Sequence, residues 1–165
     1  AGTSADPAPT KTLETLYASV IYETEDDLNR LGRRLRLSFI DHLMNWDDLR
    51  STDPRRRVQT KIDALFRHVQ NLLDMHPRKL KPMIVVHSNE KDLRAAFRSF
   101  YHRKTSFTAY YAPERDTIYV SARDVDAHVL AHEIAHAIIH RYYRTPTPTK
   151  IHEILAQYVD THLKR

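Results

Sequence analysis

The sequence predicts an α+β fold, and three stretches carry that expectation. Residues 57–75 place Val58, Ile62, Leu65, Phe66, Val69, Leu72 and Leu73 at spacings of three and four, the period of an amphipathic helix. Residues 107–112 and 117–122 are aromatic and β-branched, and Pro113, Glu114, Arg115 and Asp116 between them have the composition of a hairpin turn. Residues 129–143, VLAHEIAHAIIHRYY, are apolar over most of a helical circumference through Val129, Leu130, Ile134, Ala135, Ala137, Ile138 and Ile139. Such a helix is usually buried, and histidines and a glutamate on it need partners.

Composition sets the outer bounds. A chain of 165 residues that is 41% hydrophobic and 28% charged can build one domain with a real core. Its apolar runs, such as the MIVV at residues 83–86, stop far short of a bilayer span. Cysteine is absent, which excludes disulfides and cysteine-ligated metals. The formal charge of +5 comes from dispersed clusters at Arg33, Arg34 and Arg36, at Arg55, Arg56 and Arg57, at Arg78, Lys79 and Lys81, and at Arg141 and Arg144. Acidic residues are interleaved and no nucleic-acid motif accompanies the clusters, so solvated helix faces and loop ends are expected rather than a nucleic-acid surface. The opening AGTSADPAPT is small, polar and proline-containing. It reads as a flexible leader over residues 1–12, as left by signal-peptide removal and export to a periplasmic or secreted location, or as a boundary in a cytoplasmic protein. Residues 13–165 then form the single domain.

Taken in order, residues 16–22 alternate apolar and polar types and are expected as a strand. Thr24 followed by Glu25, Asp26 and Asp27 reads as a helix cap with an acidic first turn, opening a helix that carries Leu28, Leu31, Leu35 and Phe39. Gly32 in its middle weakens that helix by roughly 1 kcal/mol relative to alanine. Polar residues and a proline over 45–54 mark a loop in which Trp46 is expected to pack. The helix over 57–75 ends at His76 and Pro77. Residues 83–87 are a short apolar run expected as a buried strand, then Ser88 or Asn89 caps a helix through Leu93, Ala96, Phe97 and Phe100. The segments starting at Val20 and Val85 echo one another as strand, cap and helix, which supports both strand assignments. The hairpin follows. Its strands are either sheet interior or an exposed edge able to hydrogen-bond an extended peptide. Asp124 or Asp126 caps the next helix.

That helix holds the chemistry. His132 and His136 are four residues apart, so they sit one turn apart on one face and can reach a single metal ion. Glu133 lies beside the ion rather than on it, placed to take a proton from the attacking water and pass it to a leaving amine. This is the H-E-x-x-H arrangement, which fixes only three positions. A catalytic zinc commonly takes three protein ligands and leaves one position open. His140 continues the series, but it lies two turns from His132, about 12 Å along the axis, too far for all three to converge. The longer H-E-x-x-H-x-x-G-x-x-H pattern fails at Ile139 and Tyr142. The third ligand must therefore come from beyond the break at residues 145–149, where Ile151, Ile154, Leu155, Tyr158, Val159 and Leu163 give a helical stripe. Glu153, His152 and Asp160 are the candidates on that helix.

The run AHEIAHAII, a proline-containing link and KIHEILAQYV together resemble the gluzincin zinc peptidases, in which a helix of the form E-x-x-A-x-Y supplies the third ligand. The hairpin AYYAPERDTIYVSA is similar to the segment that precedes the metal helix in small members of that group. The resemblance spans residues 108–159. It implies a zincin-like fold, with a small twisted, mostly antiparallel sheet above the metal helix, the hairpin's outer strand lining the cleft, and extra N-terminal helices. It implies that Glu153 completes a Zn2+ site with His132 and His136. Two positions depart from it: Ile154 stands where many such sequences have glycine, and Gln157 stands where some place a carboxylate against a ligand histidine. A neutral amide there polarises the ring less and predicts weaker metal binding.

The expected activity is zinc-dependent hydrolysis of a peptide or protein substrate with Glu133 as base. A donor for the oxyanion is chosen among Tyr110, Tyr111, Tyr142, Tyr143, His140 and His152. The alternatives are a non-catalytic scaffold of the same fold, a latent protease whose N-terminal half covers the cleft, and a protein binding an anionic partner through its arginines.

Overall fold

The computed structural model describes residues 9–37, 51–101 and 107–163, with only the backbone described over 98–101. Phe39, Asn45 and Trp46, and the side chain of Phe100, lie outside the described residues. The fold is α+β. Five strands form one sheet: β1 (Lys11–Glu14), β2 (Ser19–Tyr22), β3 (Met83–His87), β4 (Ala109–Ala112) and β5 (Thr117–Ser121), in the order β1-β2-β3-β5-β4. The described helices are α1 (Glu25–Arg34), α2 (Pro54–Leu73), α3 (Glu90–Tyr101), α4 (Ala127–Tyr142) and α5 (Thr149–His162).

The sheet is mixed, which corrects the expectation of a mostly antiparallel one. β1 pairs antiparallel with β2 and β4 with β5, while β2, β3 and β5 run parallel in the centre. The reason lies in the connections. The helical connection after β2 returns the chain as β3 parallel to it, whereas after the helix following β3 the chain enters the edge strand β4 in the opposite sense and the hairpin turns it back as β5, parallel to β3. The short apolar run at β3 belongs to this geometry, because a central strand covered on both faces reads as nearly continuous apolar sequence. Ile84 and Val86 face the main core, and Val85 packs with Leu93, Ala112 and Tyr119 on the opposite side.

The expected strand over 16–22 is two elements. Leu16 and Tyr17 belong to a turn whose amide nitrogens donate to the Asp63 carboxylate on α2, and the Thr15 hydroxyl accepts from Tyr17 and Ala18. β1 begins at Lys11, two residues inside the stretch assigned to the leader. Its only buried residue is Leu13, too little pattern to mark a strand.

Caps fall where the sequence places them. Thr24 accepts from the Asp27 N–H, Asn89 from Asp92, and Asp126 from Val129. α2 starts three residues earlier than its apolar period suggests, because Asp53 caps it through Arg55 N–H and Pro54 suits the first helical position. Gly32 has a packing reason. A Cβ there would lie 3.2 Å from Val58 Cγ2 and 3.3 Å from Arg57 Cδ, so glycine lets α1 and α2 approach closely.

α2 and α4 cover the main core face, where Ile62, Leu65, Phe66, Ile118, Leu130, Ile134 and Ile138 are fully buried. α5 packs beside α4, but its stripe is rotated from the expected one. Ala156, Val159 and Leu163 are buried, whereas Ile151, Ile154 and Tyr158 are exposed. The rotation turns His152, Glu153 and Asp160 toward α4.

Candidate metal centre

α4 supplies the first half of the centre. Its apolar residues bury it against the sheet and α2, which leaves His132, Glu133 and His136 partly buried along the side that meets α5 and β4. His132 Nε2 and His136 Nε2 are 3.2 Å apart, and Glu153 Oε1 of α5 is 3.5 Å from His136 Nε2. One ligand atom from each of the three lies within 4.8 Å of the others. Tetrahedral zinc with bonds of about 2.0–2.1 Å separates its ligand atoms by about 3.3 Å, so the two shorter spacings suit that ion. The donor set of two imidazoles and one carboxylate is also one that zinc accepts.

The outer partners fix which ring nitrogens face inward. Asp160 Oδ2 lies 2.9 Å from His132 Nδ1, which holds the proton there and frees Nε2 as a donor. His152 Nδ1 lies 3.5 Å from His136 Nδ1, and the two rings stack at 5.7 Å with an interplanar angle of 22°. His152 therefore meets the back of His136, while Glu153 approaches its Nε2 side. Burial, with His132 and His152 close by, pushes His136 down to about 4, leaving a neutral imidazole at pH 7.

Asp160 is one of the three third-ligand candidates in the sequence, and the structure gives it a different place, against His132 Nδ1. It provides the carboxylate that Gln157 does not, since Gln157 is exposed. Seven residues separate Glu153 from Asp160, two helical turns, so both lie on one face of α5. Residue spacing along α5 thus contained the signal. Asp160→Asn is expected to weaken zinc binding by about 10–100-fold with the fold intact, measured by competition with a chromophoric chelator.

Glu133 stands at the junction of α4 and the sheet. Its Oε2 accepts from the Tyr111 N–H of edge strand β4 at 2.7 Å. Burial drives its carboxyl up to about 7, opposed by His132 and by the Tyr111 hydrogen bond. The hairpin's outer strand lines a cavity of about 1020 Å³ that also holds Glu133, His136 and Glu153. A second cavity, of about 650 Å³, meets the first at His132 and Glu133.

The geometry narrows the oxyanion donors. Tyr111 donates its hydroxyl to Asp116 Oδ1 at 2.8 Å, and Tyr110 packs edge-on against Phe97 and Phe107 and stacks on Tyr119. Tyr142 is exposed and does not line the cavity. His140, Tyr143 and His152 line it. His140 is exposed and stands apart from the three converging groups, as its two-turn offset requires. Among the described residues no helix is long and apolar enough to cross a membrane. Comparison with protein-family models, curated proteins and solved structures finds no match to this chain.

Proposed function

We propose that this protein is a zinc-dependent peptidase in which His132, His136 and Glu153 hold the metal and Glu133 moves the proton. Support comes from one arrangement: three zinc-competent donors converge, and a buried carboxylate beside them is tied to the edge strand of the sheet. When bound, zinc supplies Lewis-acid polarisation of the scissile carbonyl and acidifies a water molecule. The chain's residues do the rest. Glu133 accepts a proton from the attacking water and returns it to the leaving nitrogen. Burial raises the proton affinity of this carboxyl in the metal-free protein, the direction a group needs if it is to hold the proton between the two transfers. The Tyr111 N–H holds Oε2, so the proton is carried on Oε1.

Substrate would lie along β4. Among the described residues no further strand pairs with its outer side, which suits an extended peptide by strand addition beside the Tyr111 N–H held by Glu133. The two cavities lie at the opposite ends of this strand. One is lined by Tyr110, Tyr111 and Pro113, the other by Phe107, Thr108 and Ala109. His140, Tyr143 and His152 line the same cavity and are the candidates for donating to the developing oxyanion.

The test is hydrolysis of an unfolded polypeptide by the zinc-loaded protein, followed by mass spectrometry of the products. Cleavage should cease on chelation and return with added zinc. A folded, zinc-bearing protein that cleaves nothing in a broad peptide mixture would leave a metal-binding scaffold instead.

A further inference from the structure

The two cavities differ in charge. Arg78 from the loop before β3, Arg141 from the last turn of α4 and Arg144 from the link to α5 all line the larger one. They come from two stretches far apart in sequence yet face one space. All three are exposed, and among the described residues none forms an ion pair or hydrogen bond with protein. What sets them apart from the other exposed arginines is that they share one cavity, and several arginines elsewhere are engaged by the fold. Arg34 donates to the carbonyls of Asp124 and Val125, Arg57 to that of Ser51, and Arg55 to the Tyr22 hydroxyl and the Thr12 carbonyl.

The carboxylates in the same cavity are Glu133 and Glu153. With a divalent cation bound their charges are matched, which leaves the three guanidinium groups uncompensated. Asp116, near Tyr111, accepts the tyrosine hydroxyl and does not line the space. The smaller cavity has no lysine or arginine in its lining, and of its carboxylates Glu90 pairs with Arg94 and Asp160 with His132. The groove along β4 is therefore basic at the Pro113 end and has no basic lining at the Phe107 end.

We propose that the larger cavity is a subsite for carboxylate side chains, so that the substrate is an acidic polypeptide segment with Asp or Glu on one flank of the bond brought to Glu133. The inference rests on the peptidase assignment for its orientation along β4. Guanidinium groups bind carboxylates through paired, charge-assisted hydrogen bonds, and a shared cavity adds their fields together. The far end offers no guanidinium, which confines the preference to one flank. Nucleic acid fits less well, because the arginines share their cavity with the hydrolytic carboxylate and face Tyr110 and Tyr111 on a strand edge suited to a peptide backbone.

The test is binding of short fluorescent peptides to the zinc-loaded Glu133→Gln protein by anisotropy. The peptides differ only in carrying Asp and Glu, Asn and Gln, or Lys on one flank. The acidic peptide should bind about tenfold more tightly than its amide counterpart. Its advantage should shrink as ionic strength rises from about 0.01 M to about 1 M, where the screening length falls to about 3 Å. Arg144→Glu and Arg78→Glu, on different segments, should each abolish the preference, and the double variant should favour the lysine peptide. Thermal melts establish that each variant is folded.

Equal binding of the acidic and amide peptides overturns the proposal, as does a preference that survives both reversals. Displacement of the acidic peptide by oligothymidylate at lower concentration would overturn it in favour of a nucleic-acid site. Because binding is read without cleavage, a wild type that hydrolyses nothing would refute the peptidase assignment alone. Hydrolysis without acidic preference would refute the subsite alone.

Discussion

Glu133→Gln is expected to keep one zinc per chain and to lower peptide turnover by about 10²–10⁴-fold. Glutamine has the shape of glutamate, and its amide oxygen can still accept from the Tyr111 N–H, so the hydrogen bond joining α4 to β4 survives. What disappears is the group that takes and returns a proton. The direction of its pKa gives a second readout. A carboxyl pushed up to about 7 by burial has its charged form disfavoured in the fold. Removing the charge should leave thermal stability equal or higher, in contrast to a change that damages packing. Elemental analysis, kcat and a melt on the same sample separate the outcomes. Retained zinc with lost turnover is the expected pair. Full turnover would remove Glu133 from the chemistry, and lost zinc would make it a ligand.

Much of this centre was legible because helical spacing is a strong constraint. Four residues between His132 and His136 require one face, and eight between His132 and His140 forbid a third ligand from that helix. The structure keeps both consequences: two Nε2 atoms stand 3.2 Å apart, and His140 stands away from them. Choosing among His152, Glu153 and Asp160 was beyond spacing alone, since it depends on how α5 is rotated about its axis. The apolar pattern pointed to Ile151, Ile154 and Tyr158 as buried, yet these are exposed. The small Ala156 sets the rotation instead. It is fully buried where α5 meets the core, and small residues let helices approach. That rotation brings Glu153 to the Nε2 side of His136 and Asp160 to the back of His132.

The sheet shows the same division between local and long-range information. The hairpin from β4 to β5 was readable because its turn is local: Pro113 opens it and Asp116 closes it in the left-handed region at φ 47°. The parallel pairing of β2 with β3 joins residues some sixty positions apart, such as Val20 and Ile84, and no local pattern specifies it. β1 was missed for a related reason, because a short edge strand with one buried leucine carries almost no periodicity. The arginines were read together as solvated surface. Only tertiary structure separates Arg34, Arg55 and Arg57, which brace loops and strands, from Arg78, Arg141 and Arg144, which line one cavity.

Glu153→Ala is expected to lose zinc at concentrations that saturate the wild type, a larger loss than the 10–100-fold set for Asp160→Asn. The difference follows from position. Asp160 acts through the His132 ring, whereas Glu153 contributes an oxygen 3.5 Å from His136 Nε2 and within 4.8 Å of a His132 nitrogen. Without metal the variant should be nearly as stable as the wild type, because the Glu153 side chain is half-exposed and such an ion pair contributes little. With metal they diverge. A ligand at 100 times its Kd raises stability by about 2.7 kcal/mol, so zinc should raise the melting temperature of the wild type and leave Glu153→Ala unchanged at the same concentration. His152→Ala is the control that decides the assignment. It lies 3.5 Å from the Nδ1 side of His136, so its loss should weaken binding no more than Asp160→Asn does. If His152→Ala loses the metal and Glu153→Ala keeps it, His152 is the third ligand and the imidazole of His136 must turn to meet it.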